Sequence, residues 1–459
     1  MFTEFNICSA TDSYKLTHHK MMPKGTQYVE SYFEFRSGAK FEKAIFFGLQ
    51  ALLKKLEGKV VTKEKIDEAE ALAKRHFGQE VFDRERWEYI LRTYDGCLPV
   101  MIKAVPEGTR LSINNALMIV KNTDINCYWL TNHLETYLTH VWYPSTVASL
   151  GAYVKDIFRA KLERSCDIGA DFPGLNFMLH DFGMRGVSSM ESAEIGGGAH
   201  LVNFDGTDTV SAMTFIKEYY GGDYGYSVPA SEHSVMTALG REGEADMVGK
   251  ILDAYPTGIV SIVGDSYDIY DFTEKIIGGT YREKIRTREG KVVVRPDSGS
   301  SILIVPELAR ILDMKFGSTL NKKGYRVLNP KVGLIWGDGI DAKGIDETLD
   351  SLMNYGYSAE NIVFGMGGGL LQKVNRDTQR SAFKSCAQCR DGVWYDIYKD
   401  PIDKSKISKK GRLKLVKEGS EYKTVPISAP GDDILQVVFD NGVIHKKYTF
   451  EEVRKNAAV

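Results

Sequence analysis

An α/β fold is predicted by this sequence: a parallel sheet or barrel of βαβ units in the middle of the chain, beside a mixed α/β domain built from its two ends. Three observations carry that expectation. Between about residue 175 and residue 375 an apolar, β-rich run that ends in acids and glycines recurs as FMLHDFGMRG, GIVSIVGDSYD, KVVVRPDSGS, VGLIWGDG and NIVFGMGGG. Amphipathic helical candidates (Ala245 to Tyr255, Ile302 to Phe316, Asp341 to Tyr355) lie between several of these runs, and strand, polar turn, helix, strand is the pattern of parallel packing. The two ends read differently, mixing helices with short strands and charge-rich loops. The expected division is therefore 1–145 with 376–459 as a flanking α/β domain and 146–375 as the barrel, although pattern alone also allows the ends to form two separate domains.

In chain order, Lys63 to Phe77 and ETYLTHVWY from Glu135 read as helix, and LPVMIKAVPEG reads as strand. Phe177 to Leu179 is a short apolar run expected as a buried strand, stopped by the glycines of HDFGMRGVSS. That turn holds Phe182 and Arg185. A phenyl face there can stack on a planar ligand, and a guanidinium beside it can clamp a carboxylate or phosphate; the plain alternative is a strand-to-helix turn with a core Phe and a surface Arg. In a barrel the loops after the strands converge on one face, which puts Asp181, Arg185, Asp265, Arg295, Asp297, Asp338 and Gly367 to Gly369 on a common rim. Asp and Gly also punctuate ordinary βα turns, since Asp caps helices. An Arg in two of the same turns is less easily explained, because it opposes the helix dipole unless an anion sits between them.

Composition bounds the function classes. A chain of 459 residues is long enough for two or more domains, and a net charge of −2 supplies no global field for nucleic acid or an anionic membrane. The start, MFTEFNICSATDSYK, lacks a basic segment followed by an apolar core, and no apolar stretch approaches the roughly 20 residues that span a bilayer. A cytoplasmic protein with small molecules or another subunit as partners is expected, with no nucleic acid and no membrane. Among six cysteines only Cys386 and Cys389 form a CxxC, and without a second pair or a histidine cluster they read as reduced thiols rather than zinc ligands.

Four motifs can carry chemistry. FGMGGGLLQK, Phe364 to Lys373, places three glycines between a strand and a helix start, where backbone N–H groups can cradle a phosphate; a tightly packed turn is the other reading. RPDSGS, Arg295 to Ser300, pairs a cation with Asp297, suited to ribose hydroxyls, magnesium or a phosphate, or to an internal ion pair. GDSYD offers Asp265 as a second acid to the same metal. SVPASEHS puts His233 in a loop beside an acid, where it can act as base, acid or nucleophile or serve structure alone. The basic run KSKISKKGRLKLVK is a solvated loop or edge strand unless a phosphate site lies near it.

Taken with ATDSYKLTH, GLQALLKK, GKVVTKEKI, YDGCLPVMIKAVPEG, CYWLTNHLET, WYPSTVA, AHLVNFDGTDTV, KDP and SKKGRL, in order from end to end, these motifs resemble the nicotinamide phosphoribosyltransferase family of type II phosphoribosyltransferases. The resemblance implies an irregular, TIM-like α/β barrel beside an α/β domain, a homodimer with shared sites, and transfer of phosphoribosyl from phosphoribosyl pyrophosphate to nicotinamide with Mg2+. It implies that Phe182 stacks one face of nicotinamide and Tyr14 of the other subunit the second. Arg185 and Asp208 contact the carboxamide, with Arg295 assisting. Asp208 accepts from the amide NH2 and repels the carboxylate of nicotinic acid. Gly337, Asp338, Gly367 and Gly368 hold ribose and 5′-phosphate, Asp265 and Asp297 lie near magnesium and the ribose hydroxyls, and Asp12 joins the substrate set. Arg36, Arg376, Lys384 and Lys399 cover phosphates, several from the partner subunit. The histidine matching His233 is phosphorylated by ATP, so ATP is implied as co-substrate.

One departure is Ala382, where the family pattern leads one to expect a hydroxyl residue; another is a shortened acidic insertion around EGSEYKTVPISAPGDD. The competing readings are a nicotinate phosphoribosyltransferase, which Asp208 opposes, and a non-catalytic binding protein on the same fold. A barrel lyase would want a lysine at a strand end for Schiff-base chemistry, and the five rims have none.

Overall fold

The computed structural model describes residues 4–402 and 406–458. Two compact units divide it: residues 1–149, 215–222 and 374–459 form one, and 150–214 with 223–373 form the other. The excursion at 215–222 is absent from the expected division. It follows from bulk: Ile216 and Tyr220 are buried, the Tyr220 ring stacks on Phe47 at 5.1 Å, and its hydroxyl donates to the buried Glu107 at 2.7 Å.

The first unit is organised by a seven-stranded antiparallel sheet. Its spatial order is Val393–Asp396, Ser381–Arg390, Thr26–Phe35, Ala116–Asn122, Val100–Ala104, Gln436–Asp440 and Val443–Ile444. Strands from the C-terminal end thus flank three from the N-terminal end in one sheet, because Ser381–Arg390 pairs along most of Thr26–Phe35 and Gln436–Asp440 pairs with Val100–Ala104. The core over it holds Phe33, Phe35, Ile102, Val120 and Phe439. Helix Lys63–Phe77 has the limits its spacing predicts, capped by Thr62, which accepts from the Lys65 N–H, and stopped by Gly78 at φ 65°. ETYLTHVWY spans the end of helix Leu130–Thr139 and the start of Trp142–Ser165.

The second unit carries six parallel strands in the order Gly206–Thr207, Leu179–Asp181, Ile362–Met366, Val332–Trp336, Glu289–Arg295, Thr257–Val263. Val332–Trp336 is buried throughout, as expected of a parallel strand covered on both faces. The crossover helices are Glu244–Ala254, Ser301–Phe316 and Ala342–Asn354, within a residue of their expected limits. The sheet is a half-barrel whose two outer strands are linked by the stretch 226–231, through the bridges Gly206↔Tyr226 and Ala230↔Ser261. An irregular ring results.

One strand lies later than its apolar run suggests. Leu175–Phe177 is a single 3₁₀ turn, Phe177 is exposed, and the strand is Leu179–Asp181, because pairing with Ile362–Met366 begins at Leu179↔Phe364. The neighbouring strand sets the window.

Candidate functional site

Phe182 follows directly on strand Leu179–Asp181. Its N–H donates to the Met366 carbonyl at 3.0 Å, which extends the strand pairing by one residue and lays the ring on the neighbouring strand. A Cβ at Gly365 would stand 2.0 Å from Phe182 Cε2; one at Gly337 would stand 3.5 Å from the ring and 3.0 Å from Asp297 Oδ1. Glycine is needed at 365 for the close approach of the ring; at 337 a Cβ would make ordinary contact with the ring and crowd only the Asp297 carboxylate.

Around that ring the sequence candidates fall into two behaviours. Asp181 is buried instead of standing on the rim: its carboxylate accepts from the Gly183 N–H at 2.7 Å and Thr207 Oγ1 at 3.4 Å, and burial pushes it up to about 6. Asp208 hangs from it, with its N–H donating to the Asp181 carbonyl at 2.9 Å. The Asp208 side chain itself is exposed and accepts from Ser227 Oγ at 2.5 Å. Arg185 is exposed on the turn Met184–Gly186.

A second cluster surrounds His233, the first residue of the one-turn helix His233–Met236. Its Nε2 lies 2.9 Å from Asp265 Oδ1 and its Nδ1 4.0 Å from Asp297 Oδ2, while Ser298 Oγ donates to the other oxygen of Asp265. Arg295 Nη2 donates to the Ser231 carbonyl at 2.9 Å, and its Nε is buried without a partner. Asp338 is held above the usual carboxylate range by burial first and then by the charges of Asp297 and Asp265. Three acids therefore share one electrostatic neighbourhood, which favours a cation among them. Among the described residues no three His, Cys, Asp or Glu side chains are preassembled for a metal. Asp265 and Asp297 are the hard oxygen donors suited to Mg2+, which takes one or two carboxylates and completes its shell with water and substrate phosphate.

In the glycine turn, the Gly367 carbonyl accepts from the Leu370 N–H at 3.0 Å. A Cβ at 367 would lie 3.3 Å from the Phe182 carbonyl and one at 369 would lie 2.7 Å from the Ile340 carbonyl, whereas one at Gly368 would meet nothing within 4 Å. Packing thus explains two of the three glycines and leaves Gly368 without a steric reason. The helix behind them, Gly368–Leu371, is one turn long, so any phosphate grip comes from local N–H groups more than from a macrodipole.

The first unit holds all but one of the remaining candidates in a cavity of about 430 Å³ lined by Asp12, Tyr14, Arg36, Arg376 and Lys384, with Thr136, Arg380, Ser381, Ala382 and Lys406 among its other walls. Tyr14 is 56 % exposed, on the 3₁₀ segment Ser13–Lys20. Thr136 Oγ1 donates to Asp12 at 2.7 Å. Lys384 is pushed below the usual ammonium range by burial, with Arg36, Lys399 and Lys15 adding to the drop and Glu135 opposing it. Such crowding of cations favours an anion. Lys399 does not line the cavity, although its charge reaches Lys384. Arg380 and Thr136 are walls that motif reading missed, whereas Lys406 belongs to the basic run KSKISKKGRLKLVK, whose residues 404 and 405 lie outside the described residues; Arg380 stands at φ 48°, with its Nη1 donating to the Ser37 carbonyl at 3.0 Å. Ala382 lines this cavity, and the neighbouring Ser381 Oγ is buried without a partner.

Comparison with known proteins gives two family matches. The model of the nicotinate phosphoribosyltransferase (NAPRTase) family matches residues 177–442, and that of the nicotinamide phosphoribosyltransferase N-terminal domain matches residues 6–102. The chain is 44 % identical to a nicotinamide phosphoribosyltransferase of Xanthomonas campestris pv. campestris (strain 8004), covering 98 % of each chain. It is 31 % identical to one of Acinetobacter baylyi, covering 100 % of this chain and 98 % of the relative. Its fold matches that of a nicotinate-nucleotide pyrophosphorylase from Pyrococcus furiosus at a TM-score of 0.63 and 16 % identity, over 99 % and 96 % of the two chains.

Proposed function

We infer the reaction from one premise: the chain belongs to the nicotinate phosphoribosyltransferase (NAPRTase) family. Within it, the chain transfers phosphoribosyl from phosphoribosyl pyrophosphate to nicotinamide, giving nicotinamide mononucleotide and pyrophosphate, a step of NAD salvage. The observation that carries the choice of substrate is the exposed Asp208 carboxylate, tied through its backbone to the strand that presents the Phe182 ring. A carboxylate accepts from an amide NH2 and repels a second carboxylate.

The chemistry follows from where charge develops. The pyridine nitrogen attacks the anomeric carbon through its lone pair, the C–O bond to pyrophosphate breaks, and no general base is needed. Phe182 aims the ring, Arg185 and Asp208 fix its amide end, and the transition state builds positive charge on the ribose and negative charge on the leaving group. Mg2+ held by Asp265 and Asp297 supplies charge stabilisation to the leaving pyrophosphate when bound. Asp338, Gly337, Gly367 and Gly368 serve ribose and 5′-phosphate.

His233 is read as the residue phosphorylated by ATP. With Nε2 directed to Asp265, Nδ1 is the nitrogen left to attack the γ-phosphorus; the N–P bond forms as the bond to ADP breaks. The cation-lined cavity of the first unit supports a shared-site homodimer in which Tyr14, Arg36, Arg376 and Lys384 of one subunit serve the barrel of the other, with Lys399 beside them. Six free cysteines suit a reducing, cytoplasmic location.

Nicotinic acid is the second reading, favoured by the description of the larger matching family. The deciding experiment follows product formation from phosphoribosyl pyrophosphate and Mg2+ with nicotinamide or nicotinic acid, each with and without ATP. Selective nicotinamide turnover that ATP enhances is expected; turnover of the acid alone moves the assignment to that substrate, and turnover of neither favours a binding protein.

A further inference from the structure

Strand Thr26–Phe35 carries an unusual set of side chains at alternate positions, Glu30, Tyr32 and Glu34, continued by Arg36 just past its end. Glu30 and Glu34 are 4 % and 2 % exposed, and acids so deeply buried need compensating donors. Glu34 has three: Arg36 Nε at 3.1 Å, the Tyr32 hydroxyl at 3.3 Å and Lys409 Nζ. The Lys409 N–H donates to the Tyr32 hydroxyl at 2.8 Å, and Arg412 Nε lies 3.4 Å from Glu30. The basic segment is thereby fastened along the strand at Lys409 and Arg412.

The same network borders the cavity. Arg36 lines it, held by its Nε edge while Nη2 is buried without a hydrogen-bond partner. Across the sheet, Ala382 lies opposite Glu34 and Lys384 opposite Tyr32, and both line the cavity too. We propose that Glu34 is the positioning residue of this cavity: it fixes Arg36 by its Nε edge at the cavity wall and seats the basic segment through Lys409, ordering the cations that meet substrate phosphates. This rests on the reading under Proposed function that these residues serve the barrel of the other subunit, with their cations as the phosphate contacts that the family resemblance implies.

Glu34→Gln in the full-length protein separates positioning from simple charge. If charge alone mattered, removing an anion from a phosphate pocket would lower the KM for phosphoribosyl pyrophosphate. Positioning requires the opposite, a rise of about tenfold or more, the usual consequence of losing hydrogen bonds to charged groups. The KM for nicotinamide stays within about twofold, since the distortion is confined to the phosphate contacts. Binding of inorganic pyrophosphate by calorimetry reads the same effect without turnover. Tyr32→Phe, which removes one of the three donors, gives a smaller rise, and with Lys409→Met it decides the matter if Glu34→Gln is not recovered with a cooperative melt. A wild-type protein with neither turnover nor pyrophosphate binding refutes the phosphate reading; a wild type with both, beside variants whose KM is unchanged or lowered, refutes the role of Glu34 alone.

Discussion

Replacing Gly365 by alanine tests the ring platform at its base. The added Cβ would stand 2.0 Å from Phe182 Cε2, 2.2 Å from Cδ2 and 2.8 Å from Cζ. To restore an ordinary contact of 3.4 Å the ring must retreat by at least about 1.4 Å, because strand Ile362–Met366 is paired on both sides and cannot yield easily. The backbone at 365 is not left-handed, so alanine is tolerated conformationally, and the cost is overpacking, about 1–3 kcal/mol. A displacement of that size at the stacking surface is expected to lower kcat/KM for nicotinamide by about 100-fold, with the KM for phosphoribosyl pyrophosphate changed far less. Gly368→Ala is the matched control: nothing lies within 4 Å of its Cβ, so melting should not move, and any loss should appear in the KM for phosphoribosyl pyrophosphate. Steady-state titration of each substrate, beside thermal melting, reads all of this. Gly365→Ala with normal nicotinamide kinetics and a lowered melting temperature would refute the platform and leave Phe182 a core residue.

Asp208→Asn should lower the preference for nicotinamide over nicotinic acid by about tenfold or more, because like-charge exclusion is removed, and an unchanged ratio would place selectivity elsewhere. His233→Asn should abolish radiolabel incorporation from γ-labelled ATP; persistent labelling would move the phosphoryl acceptor to another residue. Asp181 titrates higher in the folded protein, at about 6 against 3.8, so the folded state holds its proton longer and stability falls as pH rises through that window. Asp181→Asn should accordingly gain on the wild type between pH 4 and pH 7, by an amount on the order of 3 kcal/mol; a difference in melting free energy that does not change with pH would show that the buried carboxylate carries no such penalty.

Much of the site was legible because its residues sit in local patterns. Phe182, Asp297, Asp338 and the Gly367 to Gly369 turn each follow an apolar run directly, and a parallel sheet necessarily gathers such ends. Glu34 was invisible to that reading, since an acid at an alternate position of an apolar strand looks like a solvent-facing residue until its partners at 409 and 36 are known.

By itself the sequence determined the three crossover helices and five of the six parallel strands, one of them two residues early, with the closely placed glycines and the chemical types at each turn, because periodicity and backbone freedom are properties of neighbouring residues. Tertiary structure alone decided that Asp181 turns inward while Asp208 stays out, and that 215–222 joins the first unit. It also decided that residues 12, 14, 36, 376 and 384 wall one cavity. Burial and long-range pairing depend on which strands meet, and no window of adjacent residues contains that information.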